Sequence, residues 1–287
     1  MLAKLIREFL EYCEIERGHS HLTIRNYDHY LSRFLEFAEK AGVDGAEKID
    51  LELVRQWRLE LNRLERMSRS TQNYHLIALR SFLKYLTKRD IQTLAAEKIE
   101  LADTPERQVT FLDENELERL LAAPDLRKPT GSRDKAILEV LFSTGLRVSE
   151  LANLKQTEIN LDSGEFAVRG KGGKVRVVFL SDAAKQWLDR YLKTRGDDNP
   201  RVFTITVRQI QRVVDSHARK AGIVKKVHPH TIRHSYATDL LQNGSDLRSV
   251  QSLLGHASVT TTQIYTHVTN VQLKEVHKAF HGKRRKT

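Results

Sequence analysis

Among the 287 residues there is a single cysteine, Cys13, set among Leu5, Ile6, Phe9 and Leu10 at helical spacing. An internal disulfide and a cysteine-based metal cluster are thereby excluded, and Cys13 reads as plain core packing. Equally absent is any apolar run near the roughly 20 residues that a membrane-spanning helix needs. The opening stretch, MLAKLIREFLEYCEIERG, is charged throughout and lacks the apolar centre of a secretory leader. No membrane association is expected, and the expected location is cytoplasmic. There is no carboxylate pair of metal-ligand type among the motifs described below. His230 and His234 stand four apart, but Thr231 occupies the place of the glutamate in a HExxH zinc site, and a cationic Arg233 would repel the metal. No metal and no cofactor are expected.

What the chain does carry is charge of one sign. Lys and Arg number 48 against 37 Asp and Glu, a formal +11, and the sequence pI is near 9.7. This favours a polyanionic partner, nucleic acid before an anionic membrane surface. The excess is uneven, since residues 1–102 hold 17 basic and 16 acidic side chains and residues 103–287 hold 31 and 21. DNA held by the second part would be released steeply by salt, because each neutralised phosphate frees counterions. The same composition also occurs where charges merely face solvent.

Apolar periodicity predicts four amphipathic helices over residues 1 to about 90: Leu2, Leu5, Ile6, Phe9; then Tyr27, Tyr30, Leu31, Phe34; then Val54, Trp57, Leu61, Leu64; and a fourth from Ser70 through Leu76, Ile77, Leu83 and Leu86. Gly18 and Gly42 stand where helices should stop. The expected first domain is 1–96, all helical. Residues 97–108, weakly periodic and containing Pro105, read as a linker. The second domain, 109–287, opens with LDENELERLL, where Asp113 can cap a helix while Glu116 reaches back. Its later elements are expected as a helix before Gly145, a strand pair flanking GKGG, and helices at about 182–194, 207–221, 231–242 and 246–254. The expected fold is mainly α with one small β-sheet in the second domain.

Four segments there carry the candidate chemistry: TGLRVSEL (144–151), RGKGGKVRVVFL (169–180), HPHTIRHSYA (228–237) and LLGHASVTTTQIYTHV (253–268). Arg147 follows the helix-ending Gly145, with Glu150 three residues on as a partner. Lys171 sits in a glycine-rich turn between β-like runs in which Val175, Val177 and Phe179 alternate. His230 and Arg233 would project from the first turn of one helix, where free amides favour anions. His256 follows a helix end, and Tyr265 comes nine residues later. Singly, each has an ordinary reading as an ion pair, a solvated turn, or a packed ring.

Together they offer two arginines, two histidines, one lysine and one tyrosine, a set suited to phosphoryl transfer. Guanidinium groups can hold the nonbridging oxygens bidentately and histidines can hydrogen-bond them, with no need for magnesium. A tyrosine nucleophile would conserve the phosphodiester energy in a phosphotyrosyl ester that a DNA hydroxyl can attack, and a lysine could protonate the departing 5′ oxygen.

In these motifs the chain resembles the tyrosine recombinase (phage integrase) family, and its compact two-domain layout is similar to that of the Xer site-specific recombinases. The likeness covers nearly the whole chain, with IRH in place of LRH as a minor departure. It implies Arg147 as first arginine, Lys171 as the hairpin lysine, His230 and Arg233 as the HxxR pair, His256 as second histidine and Tyr265 as nucleophile. It further implies a SAM-like helical core-binding domain that clamps double-stranded DNA with the catalytic domain. A homo-tetramer, or a hetero-tetramer with a paralogue, would assemble on paired sites and exchange strands through a 3′-phosphotyrosyl intermediate and a Holliday junction, with room for an accessory activator protein. The last helix, with Leu273, Val276 and Phe280, would dock on a neighbouring subunit. The polar segment 67–80 is a candidate DNA-facing surface. Xer-type resolution of chromosome or plasmid dimers is the expected role; integration of a mobile element, a type IB topoisomerase, a histidine-metal nuclease and a non-cleaving DNA-binding regulator are the alternatives.

Overall fold

The structure, a computed structural model, describes residues 1–63, 66–104, 110–170, 173 and 175–255. The chain divides into two compact units, Met1–Glu106 and Arg107–Thr287.

The first unit is built on α1 (Leu2–Ile15), α2 (His21–Lys40), α3 (Leu51–Arg63) and α4 (Arg69–Lys88). The second and fourth helices start by one device: Ser20 and Ser68 each accept the backbone N–H three residues on, at 3.3 and 3.2 Å, and each hydroxyl meets a threonine hydroxyl at 2.9 Å. Such caps satisfy amides that the helix itself leaves free. Gly18 and Gly42, after the first two helices, have φ of +57° and +76°, the left-handed conformation that ends a helix most cheaply at glycine. The apolar stripes meet in a core of Phe9, Leu31, Phe34, Trp57, Leu79 and Phe82.

A repeat missed in the sequence lies at 46–49 and 96–99, both reading Ala-Glu-Lys-Ile. Each forms a 3-10 turn, Ala46–Lys48 and Ala96–Lys98, and each buries its alanine and its isoleucine. The second turn drops Ile99 into the first core, so that core continues past residue 96 into the segment read as linker. Asn73 fastens the same segment, donating to the Ala102 carbonyl at 2.8 Å and accepting its N–H at 3.0 Å. Gln72 and His75 also turn inward; Gln72 bonds to Asn62 and Met67, and His75 to the Thr71 carbonyl. Three polar residues of the candidate DNA-facing segment therefore hold the unit together, while Tyr74 and Ile77 are exposed.

The second unit surrounds α6 (Gly131–Thr144), whose Ala136, Ile137, Leu138, Val140 and Leu141 are all buried. A helix apolar on every side has to be covered on every side. The covering elements are α5 (Glu114–Ala122), α8 (Asp182–Thr194), α9 (Val207–Lys220) and α10 (Pro229–Gln242). The expected capping box of α5 is present, with Asp113 and Glu116 bonded reciprocally. Two charges on α6 are buried: Asp134, held by Arg133 and by His217 at 3.1 Å, and Glu139, paired with Lys135 at 2.7 Å. Two strands, β1 (Glu165–Arg169) and β2 (Val175–Phe179), pair antiparallel with Ala167 opposite Val177. Completing the unit are α7 (Val148–Asn153) and α11 (Leu247–Leu254). The last packs on α10 through Ala237, Leu241, Val250 and Leu254.

Trp57 is 1% exposed and packs edge-on against Phe34, with ring centroids 4.9 Å apart. Trp57→Ala is expected to destabilise the first unit by about 3–5 kcal/mol, read as a lower urea midpoint. A midpoint that does not move would mean that the core closes over the hole.

Candidate active site

The site is built from a corner outward. Helix α6 ends at Gly145, whose φ is +58° and whose added Cβ would stand 2.5 Å from the Tyr236 ring. Both the backbone sign and the approach of α10 require glycine there. The chain turns through Leu146 into Arg147, the N-cap of α7, and Glu150 reaches back to accept the Arg147 N–H at 2.8 Å. A carboxylate is favoured at that end of a helix by the unpaired amides.

Glu150 does more than cap. Its carboxylate accepts from the Arg147 guanidinium at 2.8 Å and, through a two-pronged contact, from Arg176 on β2 at 3.0 and 2.7 Å. Burial pushes the Glu150 carboxyl up, but the hydrogen bonds from Arg176 and from the Arg147 backbone outweigh it and hold the group down at about 2. Two guanidinium groups share one buried carboxylate, which leaves this part of the site with net positive charge.

A third arginine arrives from α10. Pro229 opens that helix after the N-cap His228, which places His230 in the first turn and Arg233 one turn later. Arg233 is 5% exposed and donates to the Gly145 carbonyl and to the Leu254 carbonyl, both at 2.6 Å. The end of α11 receives the rest. Arg176 Nε donates to Leu253 O at 3.0 Å, Arg233 to Leu254 O, and Arg147 to Gly255 O at 3.3 Å. Three consecutive carbonyls, which a helix C-terminus leaves without partners, are thus met by three different arginines. Gly255, at φ +63°, closes the helix, and a Cβ on it would meet Arg176 Cδ at 2.9 Å.

His230 is exposed. Its pKa is lowered, first by the protein packed around it and then by Arg233 and Arg147, so the neutral imidazole is favoured. His234, one turn on, is pushed down to about 4 by burial and then by His230 and Arg233. Beside His230 opens a cleft of about 880 Å³ whose lining includes Arg208, Arg212, Arg219, Lys226 and His228. Four basic side chains in that lining against the one carboxylate of Asp215, which pairs with Arg219, leave a positive excess that attracts a polyanion. Among the described residues no three of His, Cys, Asp or Glu are grouped as a metal ion would require, and no helix is long and apolar enough to cross a membrane.

Of the residues singled out by sequence, Arg147, Glu150, His230 and Arg233 are drawn to this corner. Lys171, His256 and Tyr265 lie outside the described residues, as does the tail with Leu273, Val276 and Phe280. The position missed is Arg176. Its signal was present, because in β2 the apolar alternation of Val175, Val177 and Phe179 faces outward, 62%, 49% and 48% exposed, and the inward positions are Arg176 and Val178. A charge on the inner face of a strand asks for a buried partner, and Glu150 is that partner.

Comparison with known proteins agrees with this architecture. Residues 110–271 match the phage integrase family, and residues 6–90 match the N-terminal SAM-like domain of phage integrases. Tyrosine recombinase XerC of Pelobacter propionicus is 39% identical over 297 residues, spanning 99% of this chain and 97% of that protein. Tyrosine recombinase XerD of Listeria monocytogenes is 36% identical over 294 residues, spanning 96% and 98%. Among solved structures, XerH site-specific recombinase in a post-cleavage complex with palindromic difH substrate superposes with a TM-score of 0.74 at 25% identity, covering 94% of this chain and 83% of that one. The chain belongs to the phage integrase family, and its enzyme class is that of a tyrosine-type site-specific DNA recombinase.

The depressed Glu150 pKa sets a pH dependence. A carboxyl whose folded value lies below its ordinary 4.5 contributes stability above that pH and loses it as pH falls toward about 2. Asp134, whose pKa is also lowered, adds to the same window. Urea midpoints measured in pH steps are expected to drop over that range and to drop less steeply in Glu150→Gln. An identical slope in that variant would assign the effect to other carboxylates.

Proposed function

We propose that this enzyme cleaves and rejoins double-stranded DNA by transient attachment of the 3′ phosphate to Tyr265, without metal. Arg147 and Arg233 hold the nonbridging oxygens of the scissile phosphate, His230 and His256 hydrogen-bond the same oxygens as charge builds, and Lys171 protonates the departing 5′ oxygen. The observation that carries this reading is the convergence of Arg147 and Arg233 on successive carbonyls at the end of α11, immediately before His256 in the chain. Two fixed guanidinium groups beside an exposed, neutral imidazole suit a phosphorane with charge on its equatorial oxygens. The basic cleft past His230 offers further phosphate contacts along a duplex. The solved XerH site-specific recombinase is bound to its palindromic difH substrate.

Four copies, or two of this chain with two of a paralogue, act on paired sites through a Holliday junction in the cytoplasm. The role proposed is Xer-type resolution of chromosome or plasmid dimers. Its support is near-full-length similarity to proteins named XerC and XerD.

The test uses nicked suicide duplexes containing sequence that flanks the gene, with chelator present. An SDS-resistant protein–DNA adduct is expected, attached at the 3′ phosphate and abolished by Tyr265→Phe. Tight, specific binding without any adduct would replace the reading by that of a non-cleaving regulator, and an adduct retained in Tyr265→Phe would remove Tyr265 as nucleophile.

A further inference from the structure

We propose that Arg176 is a positioning residue for the reaction: it neutralises and aligns Glu150 so that Arg147 is presented to the scissile phosphate with its orientation fixed and its charge unquenched. The inference rests on the assignment of Arg147 as a phosphate-holding group.

The geometry leaves Arg176 little else to do. Its side chain is 8% exposed, and Nε, Nη1 and Nη2 are engaged by Leu253 O, Glu150 Oε1 and Glu150 Oε2. A guanidinium fixed by all three nitrogens is not a group that reaches for substrate. Its effect passes through its partners. Glu150 alone would form a closed pair with Arg147, and a neutral pair attracts an incoming phosphate weakly. With Arg176 bound to the same carboxylate, the triad carries one net positive charge. Arg147 is also the more accessible of the two arginines, at 28% side-chain exposure, so the surplus sits on the side open to a ligand. A planar fork is needed for this, since only a guanidinium can grip both carboxylate oxygens and still donate from Nε to a helix carbonyl.

The Nε bond adds a mechanical link. Arg176 joins β2, the strand that follows Lys171 in the chain, to the last turn of α11, the helix that precedes His256. The Arg176 stem also packs where any residue but glycine at 255 would collide with it. One side chain thereby ties the strand end, the Glu150 corner and the α11 terminus into a single register.

The experiment compares wild type, Arg176→Met and Arg176→Lys in single-turnover cleavage of a suicide duplex. One substrate carries the normal scissile phosphodiester and the other a methylphosphonate at that bond, which removes the charge Arg147 would meet. With the phosphodiester, Arg176→Met is expected to cleave about 100-fold more slowly, the order of loss that a misplaced reacting group produces, and Arg176→Lys to recover part of the loss. Equilibrium binding to the duplex stays near wild type. On the methylphosphonate the deficit shrinks to a few-fold. Equal deficits on the two substrates, or none on either, would overturn the proposal, because damage to the fold slows both alike.

A second arm needs no reaction. Side-chain NMR of labelled arginine follows Arg147, whose guanidinium protons should exchange slowly in the wild type and quickly in Arg176→Met and Arg176→Lys. An unchanged Arg147 signal counts against the proposal even if no cleavage is ever seen. A wild type that forms no adduct removes the recombination reading and leaves this arm to decide the positioning role alone.

Discussion

A single buried carboxylate organises the catalytic unit. Glu150 receives hydrogen bonds from Arg147 and Arg176, and the same two side chains, together with Arg233, take up the carbonyls at the end of α11. Remove the carboxylate and three guanidinium groups would face one another across a partly desolvated corner, where like charges repel strongly. Remove the arginines and a buried anion and a row of carbonyls would lie unpaired, each a loss of a few kcal/mol at most but together enough to undo the corner. The order of α7, β2, α10 and α11 around that point follows from this mutual need.

On the proposed function, the arrangement fixes side chains in the place where the chemistry needs them. A phosphoryl-transfer site works by presenting fixed charge to charge that develops in the transition state, so that no reorganisation is needed during the reaction. Here the fixing is done by protein groups already hydrogen-bonded before any ligand arrives. The apolar staple between α10 and α11, formed by Ala237, Leu241, Val250 and Leu254, and the close approach of Tyr236 to Gly145 hold the backbone that carries those charges. Around them the basic surface of α9 and the start of α10 extends the positive field outward.

Much of this was legible in the chain. Periodicity located the four helices of the first unit within a few residues, because their stripes are wide and the first two stop at glycines. Asp113 with Glu116 and Gly145 with Arg147 marked element ends, because caps and left-handed turns depend on local chemistry alone. Less legible were features that depend on distant neighbours. Whether Gln72, Asn73 and His75 face a ligand or their own fold turns on segments up to 29 residues away. The end of the first unit was obscured because a short Ala-Glu-Lys-Ile turn carries too few residues to show a period. In β2 the visible apolar alternation marked the outward face, since the inward face had been given to a charge.

The sequence alone determined the class of the protein, its division into a helical unit and a mixed unit, and the residue types from which a phosphate-binding site is made, since these are set by local pattern and by the chemistry of side chains in order along the chain. Only the tertiary structure decided that Arg147 and Arg176 converge on one carboxylate and that both, with Arg233, spread over nearly 90 positions, converge on one helix end. Charge pairs are chosen by distance and burial in space, and neither is written in spacing along a chain.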